Sequence, residues 1–343
     1  MTPQTQMRAR IFTDAISAQH LLPEWDELWQ RCPKATTFQR PEWLFSWIQA
    51  FDPGTPLLME FRHGELLVGI APLLIYERGS ERVLALMGGG VSDYLDVLFD
   101  PACAEETVDT FWSMLPQIND WDTLELTDLP PTSCLLKKSP SRWKYDKRVH
   151  DVCAVLHLPA KAAKLNTVLP HKQRKNLRNA RNRLRGMGET RIEIAGENNL
   201  HENLSSMFRL HTNRWQKAGE PGVLADHQVQ RFHRHVSPAL LRKRVLRLYT
   251  LRLNGRPIAA LHAFFDRHVA YYYLQGFDME FAWFSPGTQI LGAVVEDAAR
   301  DGMQAVNFLR GRERYKYVWG TQDSPTYRIQ ASNPLMASLQ IAA

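Results

Sequence analysis

The chain has 343 residues, 44% hydrophobic and 23% charged, with a net charge of +6. That composition excludes a disordered protein and leaves room for two domains of ordinary size. No apolar run reaches membrane-spanning length and the first residues lack a basic-then-apolar order, so a cytoplasmic protein without a transmembrane segment is expected.

Cys32, Cys103, Cys134 and Cys153 form no CxxC pair and have no histidine at ligand spacing. Reduced structural thiols and no metal are expected. The positive charge favours an anionic partner, whether a phosphorylated cofactor, nucleic acid, anionic glycan or lipid.

In chain order, Pro23 to Ala50 is tryptophan-rich with helical period, punctuated by Pro33 and Pro41. Leu57 to Tyr76 alternates about His63-Gly64 and predicts a β-hairpin. Val83 to Met87 and Tyr94 to Phe99 predict strands around Gly88-Gly89-Gly90. A helix over Glu105 to Leu115 and a strand over Asp122 to Leu126 follow. Pro130-Pro131 through Lys144 marks the boundary between halves.

The second half opens with a strand, Val152 to Leu158, then basic helical sequence from Lys161 to about Met187. His171 to Arg185 contains seven Lys or Arg and no acid. Arg174, Arg178, Arg181 and Arg185 recur on one helix face within about 60°, beside a stripe of Leu177, Ala180 and Leu184. Such a face either borders an anion-binding groove or is simply solvated. Helices are expected over His201 to Lys217 and Gln228 to Arg242, then strands over Leu246–Leu253, Pro257–Asp266 and Val269–Gln275 with a turn at Asn254-Gly255.

From Ser285 the pattern is turn, helix, strand and polar cluster. Ser285-Pro286-Gly287-Thr288 has helix-start chemistry, and Ile290, Leu291, Val294, Val295 and Ala298 share an apolar face. Gly302 fits a C-terminal cap, and Ala305 to Leu309 a buried strand. Arg310, Arg312, Glu313, Arg314, Tyr315, Lys316 and Tyr317 follow. A helix start beside such a cluster suits a phosphate near reactive groups; a plain cap and a solvated basic loop give the same pattern. The halves also echo each other, each with strand, turn, strand, a strand ending in glycine, a helix and a strand. Only the second copy carries the Ser285 turn and the basic cluster.

That order resembles the acyl-CoA N-acyltransferase (GNAT) fold. KQRKNLRNARNRL, HTNRW, SPGTQIL and FLRGRERYKYVWG resemble the CelD-like bacterial acetyltransferases of cellulose biosynthesis (a BioF2-like domain) over roughly Val152 to Gly320. Tandem halves with Tyr315-Lys316 before Trp319-Gly320 are similar to the Fem-type aminoacyltransferases. The resemblance implies an α/β (α+β) fold of tandem GNAT-like halves, each a mixed, mostly antiparallel sheet flanked by helices. The limits are 1–145 for a degenerate N-terminal half, 146–330 for the catalytic half and 331–343 for a tail. The phosphate loop departs from the family pattern: only Gly287 and Gly292 are present, with Trp283-Phe284 ahead of Ser285.

On this resemblance Leu274, Gln275, Gly276, Ser285, Gly287 and Thr288 bind acetyl-CoA. Glu313 is the base, Tyr315 or Tyr317 the acid and Lys316 a cation that stabilises developing charge. Arg174, Arg178, Arg181, His211, Trp215 and Arg312 bind an anionic or polar acceptor, a small molecule or a cell-envelope or exopolysaccharide precursor. The implied reaction is direct acyl transfer from acetyl-CoA to an amine or hydroxyl, since no nucleophile pairs with a base in sequence. The alternatives are a Fem-like transferase using aminoacyl-tRNA and a non-catalytic nucleic-acid-binding module.

Overall fold

The computed structural model describes residues 7–14, 17–138, 143–159 and 168–334. The expected helix start at Lys161 lies outside the described residues, as do 335–343 of the expected tail. The chain divides into two compact units, one holding residues up to Asp151 together with Pro325 onward, the other Val152–Ser324.

The first unit begins with β1 (Met7–Phe12), a short alternating strand whose Met7, Ala9 and Ile11 pack on the core. In α1 (Leu22–Arg31) and α2 (Pro41–Phe51) the helical period buries Trp25, Leu28, Trp29, Trp43, Leu44 and Trp47, as expected. β2 (Thr55–His63) and β3 (Leu66–Arg78) form the predicted hairpin, with Gly64 at φ 63° in its turn. β4 (Glu81–Leu86) follows, but the strand expected over Tyr94–Phe99 shrinks to β5 (Leu98–Phe99). There the Asp96 carboxylate accepts the Val97 N–H at 2.9 Å and the Ser133 hydroxyl at 2.7 Å, a local bond that competes with a ladder. α3 (Ala104–Met114) then leads to β6 (Thr123–Leu129), which lies parallel to β4.

β7 (Tyr145–His157) carries the chain into the second unit. The elements are α4 (His171–Arg185), β8 (Thr190–Ile194), α5 (Leu200–Lys217), α6 (His227–Arg242), β9 (Leu246–Leu253), β10 (Arg256–Asp266), β11 (Val269–Phe277), α7 (Pro286–Arg300), β12 (Ala305–Arg310) and the single turn α8 (Arg314–Tyr317). The Asn254-Gly255 turn has φ 48° and 80°, as a tight hairpin requires. The sheet order is β7-β12-β11-β10-β9-β8, with only β11 and β12 parallel. Ile290, Leu291, Val294, Val295 and Ala298 of α7 are fully buried, and Ile290 and its neighbours pack on Leu261, Ala263 and Val306. Truncating Ile290 to alanine costs about 2–5 kcal/mol there.

The last strand, β13 (Gln322–Ser332), pairs with β6, so the first sheet runs β1-β2-β3-β4-β6-β13. Each unit thus holds a strand, two helices, a three-stranded meander, a helix and a strand parallel to the meander's last. The repeated halves expected from sequence are present. The strands β1, β8 and β13, which the sequence pattern leaves unassigned, are amphipathic edges or late returns. Among the described residues, no helix is long and apolar enough to cross a membrane.

Candidate functional site

β11 and β12 pair only from Val269–Tyr271 to Ala305–Asn307. Beyond that point β12 breaks register: Asn307 accepts the Leu309 N–H at 2.8 Å, and Leu309 takes φ 60°. With the ladder ended, a cleft of about 640 Å³ opens, walled by the end of β11, the start of α7, one flank of α4 and the segment from Arg314 to Trp319.

A bulge decides what β11 presents. Its partners on β10 shift between His262 and Ala263, leaving Tyr273 as the extra residue. Cross-strand partners share a face, so Tyr272, Gln275 and Phe277 lie on one face with Ala263, Leu261 and Ala259. Leu274 and Gly276 lie on the other with His262 and Ala260. Tyr272, Gln275 and Phe277 line the cleft.

The cleft is lined by Arg183, Arg214 and Arg314 and, among the described residues, by no carboxylate. Its polar groups form a directed chain. Tyr315 OH contacts Tyr272 OH at 3.4 Å, and Tyr272 OH donates to Gln275 Oε1 at 2.6 Å. Burial raises the pKa of both phenols, so both stay protonated at neutral pH. The Gln275 amide is fixed by this bond, yet its buried Nε2 has no protein partner. Gly287 stands against that Nε2; any Cβ there would overlap it and come 3.2 Å from Phe277. Ser285 starts α7 in the left-handed region (φ 51°, ψ 52°) and caps through its carbonyl, which accepts from Thr288 and Gln289. The donors beside Gly287 are therefore its own N–H, the Gln275 amide and the hydroxyls of Ser285 and Thr288. A buried, unpartnered amide donor, a helix start and three guanidinium groups together suit an anion.

The sequence expectations divide on this geometry. Gln275, Ser285, Gly287, Thr288 and Tyr315 come together in the cleft. Gly276 does not: its missing side chain admits the backbone of His211, bringing α5 onto β11. The arginine stripe of α4 lies on the wrong flank. Leu177, Ala180 and Leu184 are buried, and the cleft lies on the flank that carries Gln173, Asn176, Asn179 and Arg183. Arg181 instead makes a two-pronged pair with Glu296 of α7, at 2.6 and 2.7 Å. Arg178 is exposed, and Arg174 is half-buried with its Nε unpartnered. Arg312 is exposed and pairs with Asp323 at 3.4 Å.

After β12 the chain coils into the helical turn α8, which decides the place of Lys316. Its side chain is buried; Nζ donates to the carbonyls of Leu309, Arg310 and Gly311 at 3.2, 2.5 and 3.3 Å and pairs with Glu313 at 2.9 Å. Lys316 therefore ties down the broken end of β12, and Glu313 leans on it. Neither lines the cleft.

A second hollow, about 850 Å³, lies on the opposite face of β11 and is lined by His211, Trp215, Pro221, Gly222, Val223 and Leu274. His211 is buried with Nδ1 unpartnered, and burial with Arg214 nearby lowers its pKa to about 4. Trp215 is partly exposed, its ring 6.1 Å from that of His211. Leu274, placed on the donor side by sequence, belongs to this hollow. No group of three His, Cys, Asp or Glu that could hold a metal occurs among the described residues.

Residues 171–317 match the family model described as an acetyltransferase (GNAT) domain. The fold is GNAT-like. The chain is similar to the crystal structure of FemX (TM-score 0.67, 12% identity, 96% of this chain and 99% of that one). It is also similar to a conserved protein of unknown function from Bacteroides thetaiotaomicron (0.55, 13%, 91% and 97%). A tandem GNAT protein from the clavulanic acid biosynthesis pathway matches too (0.50, 12%, 95% and 99%). At these identities the likeness establishes the fold. No curated protein matches the chain in sequence.

The sequence pattern does not single out Gln173, Asn176, Asn179, Arg183, Arg214, Tyr272 and Phe277, which also line the cleft. For α4 the signal was present: those polar residues repeat beside the same apolar stripe, on its other side. For β11 it was not, because the bulge breaks the alternation on which a face assignment depends.

Proposed function

We propose that the second unit transfers an acyl group, acetyl in the simplest case, from acyl-CoA to an amine or hydroxyl of a polar acceptor by direct attack. The observation that carries this is the unpartnered Gln275 amide against Gly287 in a cleft with three arginines and no acid. A diphosphate at the Ser285–Thr288 turn would accept from that amide and the Gly287 N–H. Its pantetheine would run along β11 toward Tyr272 and Tyr315. The order of KQRKNLRNARNRL, HTNRW, SPGTQIL and FLRGRERYKYVWG supports a place among CelD-like acetyltransferases and a saccharide precursor as acceptor.

Tyr315, held protonated by burial, protonates the thiolate as the C–S bond breaks, and the proton lost by the attacking amine or hydroxyl passes through water to restore the phenol. Tyr272 and Gln275 orient it. Glu313 and Lys316 tie the end of β12 to α8, which carries Tyr315. The acceptor enters from the hollow beside Trp215 and His211 and meets the thioester through the gap left where the β11–β12 pairing ends, with Trp215 offering an aromatic face and neutral His211 a hydrogen-bonding ring nitrogen for a hydroxyl or amine.

Calorimetry with acetyl-CoA, CoA and total tRNA tests the donor. Saturating CoA at about a hundred times its Kd should stabilise the fold by roughly 2.7 kcal/mol. No binding or thermal shift at millimolar CoA overturns the reading, and tight binding of tRNA alone replaces it with an aminoacyl-tRNA donor.

A further inference from the structure

Trp283 is 76% exposed, the most exposed large hydrophobic residue among those described. It stands two residues before Ser285, at the rim of the anion-binding turn. Nothing in the fold requires an indole there: the Met279–Phe284 turn closes through the Asp278 cap and through Phe281 against Phe284. The ring is nevertheless held. The Arg183 guanidinium lies 5.6 Å from its centroid, and Arg183 Nη2 donates to the Trp283 carbonyl at 3.4 Å. Arg183 also lines the cleft, so one arginine connects the exposed ring with the phosphate end of the site.

We infer that Trp283, held by Arg183, is a stacking platform for the adenine ring of an adenosine that carries phosphate on its 5′ side. The inference rests on the donor reading above and deepens it. A phosphate at Gly287 leaves the attached nucleoside to extend outward over the rim, where Trp283 is the exposed flat apolar surface. An arginine close to both groups neutralises phosphate while it supports the ring. Every base has a π-face, so such a platform gives affinity with little demand for hydrogen-bond readout. The same chemistry is found in the adenosine diphosphate end of CoA and in the terminal adenosine of a CCA-ended RNA, and the test separates them.

Affinities of wild-type protein, Trp283→Ala and Trp283→Phe are measured for CoA, for 4′-phosphopantetheine, which lacks the adenosine, and for a CCA-ended RNA minihelix. The expected result is CoA binding weakened about tenfold or more in Trp283→Ala and largely retained in Trp283→Phe. Binding of 4′-phosphopantetheine should stay unchanged. An equal loss for CoA and 4′-phosphopantetheine, or no loss for either, overturns the platform while leaving the donor reading intact. If the wild-type protein ignores CoA but binds the minihelix, and Trp283→Ala weakens it, the platform stands and the CoA reading falls. No adenosine-bearing ligand bound by wild type overturns both.

Discussion

Gly287 and Gln275 occupy one space: the side chain that Gly287 lacks would overlap the Gln275 amide nitrogen. That amide cannot simply swing aside, because its oxygen accepts from Tyr272 at 2.6 Å and Tyr272 in turn meets Tyr315. A methyl group at Gly287 therefore disturbs a chain of hydrogen bonds that crosses the cleft.

The first prediction is that Gly287→Ala weakens CoA binding about tenfold or more and costs about 1–3 kcal/mol of stability, since its methyl group overlaps a fixed amide even though alanine suits the first turn of α7. Gly287→Asp should abolish binding by adding a negative charge at the same point. Calorimetry beside a thermal melt reads both. Normal CoA affinity in Gly287→Asp would reduce the turn to a helix start.

Lys316→Met should act first on stability. Removing the ammonium orphans the buried carbonyl of Leu309 and the half-buried carbonyls of Arg310 and Gly311, at a cost of about 1–3 kcal/mol for a buried unsatisfied group. Urea unfolding should show a loss of about 2–4 kcal/mol. A variant that is as stable as wild type but lacks turnover would restore Lys316 to a direct part in the chemistry.

These two residues mark how far the sequence could be read. The halves, their meanders and α7 were legible because apolar period and turn chemistry fix them locally. Gly287 was legible through its place in a helix-start motif. Lys316 was misplaced because RGRERYKY carries no periodic signal, and whether it runs on extended or coils depends on carbonyls left free where β12 breaks. The arginine stripe of α4 lies off the cleft for a related reason: arginine density shows charge, while the direction of the cleft is set by α7 and β11. Arg181 illustrates it, since its partner Glu296 lies 115 residues away.

Acid should destabilise the second unit. Burial lowers His211 to about 4 and His262 to about 3, and holds His233 well below its ordinary value. Their unfolded forms take up protons below about 6.5, so their stabilisation is complete above that pH and is lost as pH falls toward the folded values. Asp96 in the first unit runs the other way. Burial raises it to about 7, so it binds its proton more tightly when folded and gains stability as pH falls from about 7 toward 4. Three histidines against one carboxyl leave a net loss of roughly 2–3 kcal/mol between pH 6 and pH 5. Asp96→Asn should steepen that loss. Urea unfolding at both pH values measures it, and a flat profile would mean that the imidazoles reach solvent.

Tyr315→Phe isolates the acid. The phenol lines the cleft on α8, and its hydroxyl touches only Tyr272, at 3.4 Å, which leaves it available to a leaving group. Phenylalanine fills the same volume, so the edge-to-face packing on Tyr272, at 6.4 Å between rings, should survive and the fold with it. If the phenol protonates the thiolate as it leaves, turnover should fall about a hundredfold or more, the usual worth of a positioned general acid. CoA affinity should change little, because the diphosphate is held at the other end of the cleft. A donor whose thiol is more acidic leaves without help, so the gap between wild type and Tyr315→Phe should narrow with such a thioester. Steady-state kinetics with the two donors, alongside CoA titration, reads each part. Unchanged turnover with the ordinary donor would assign the proton to water.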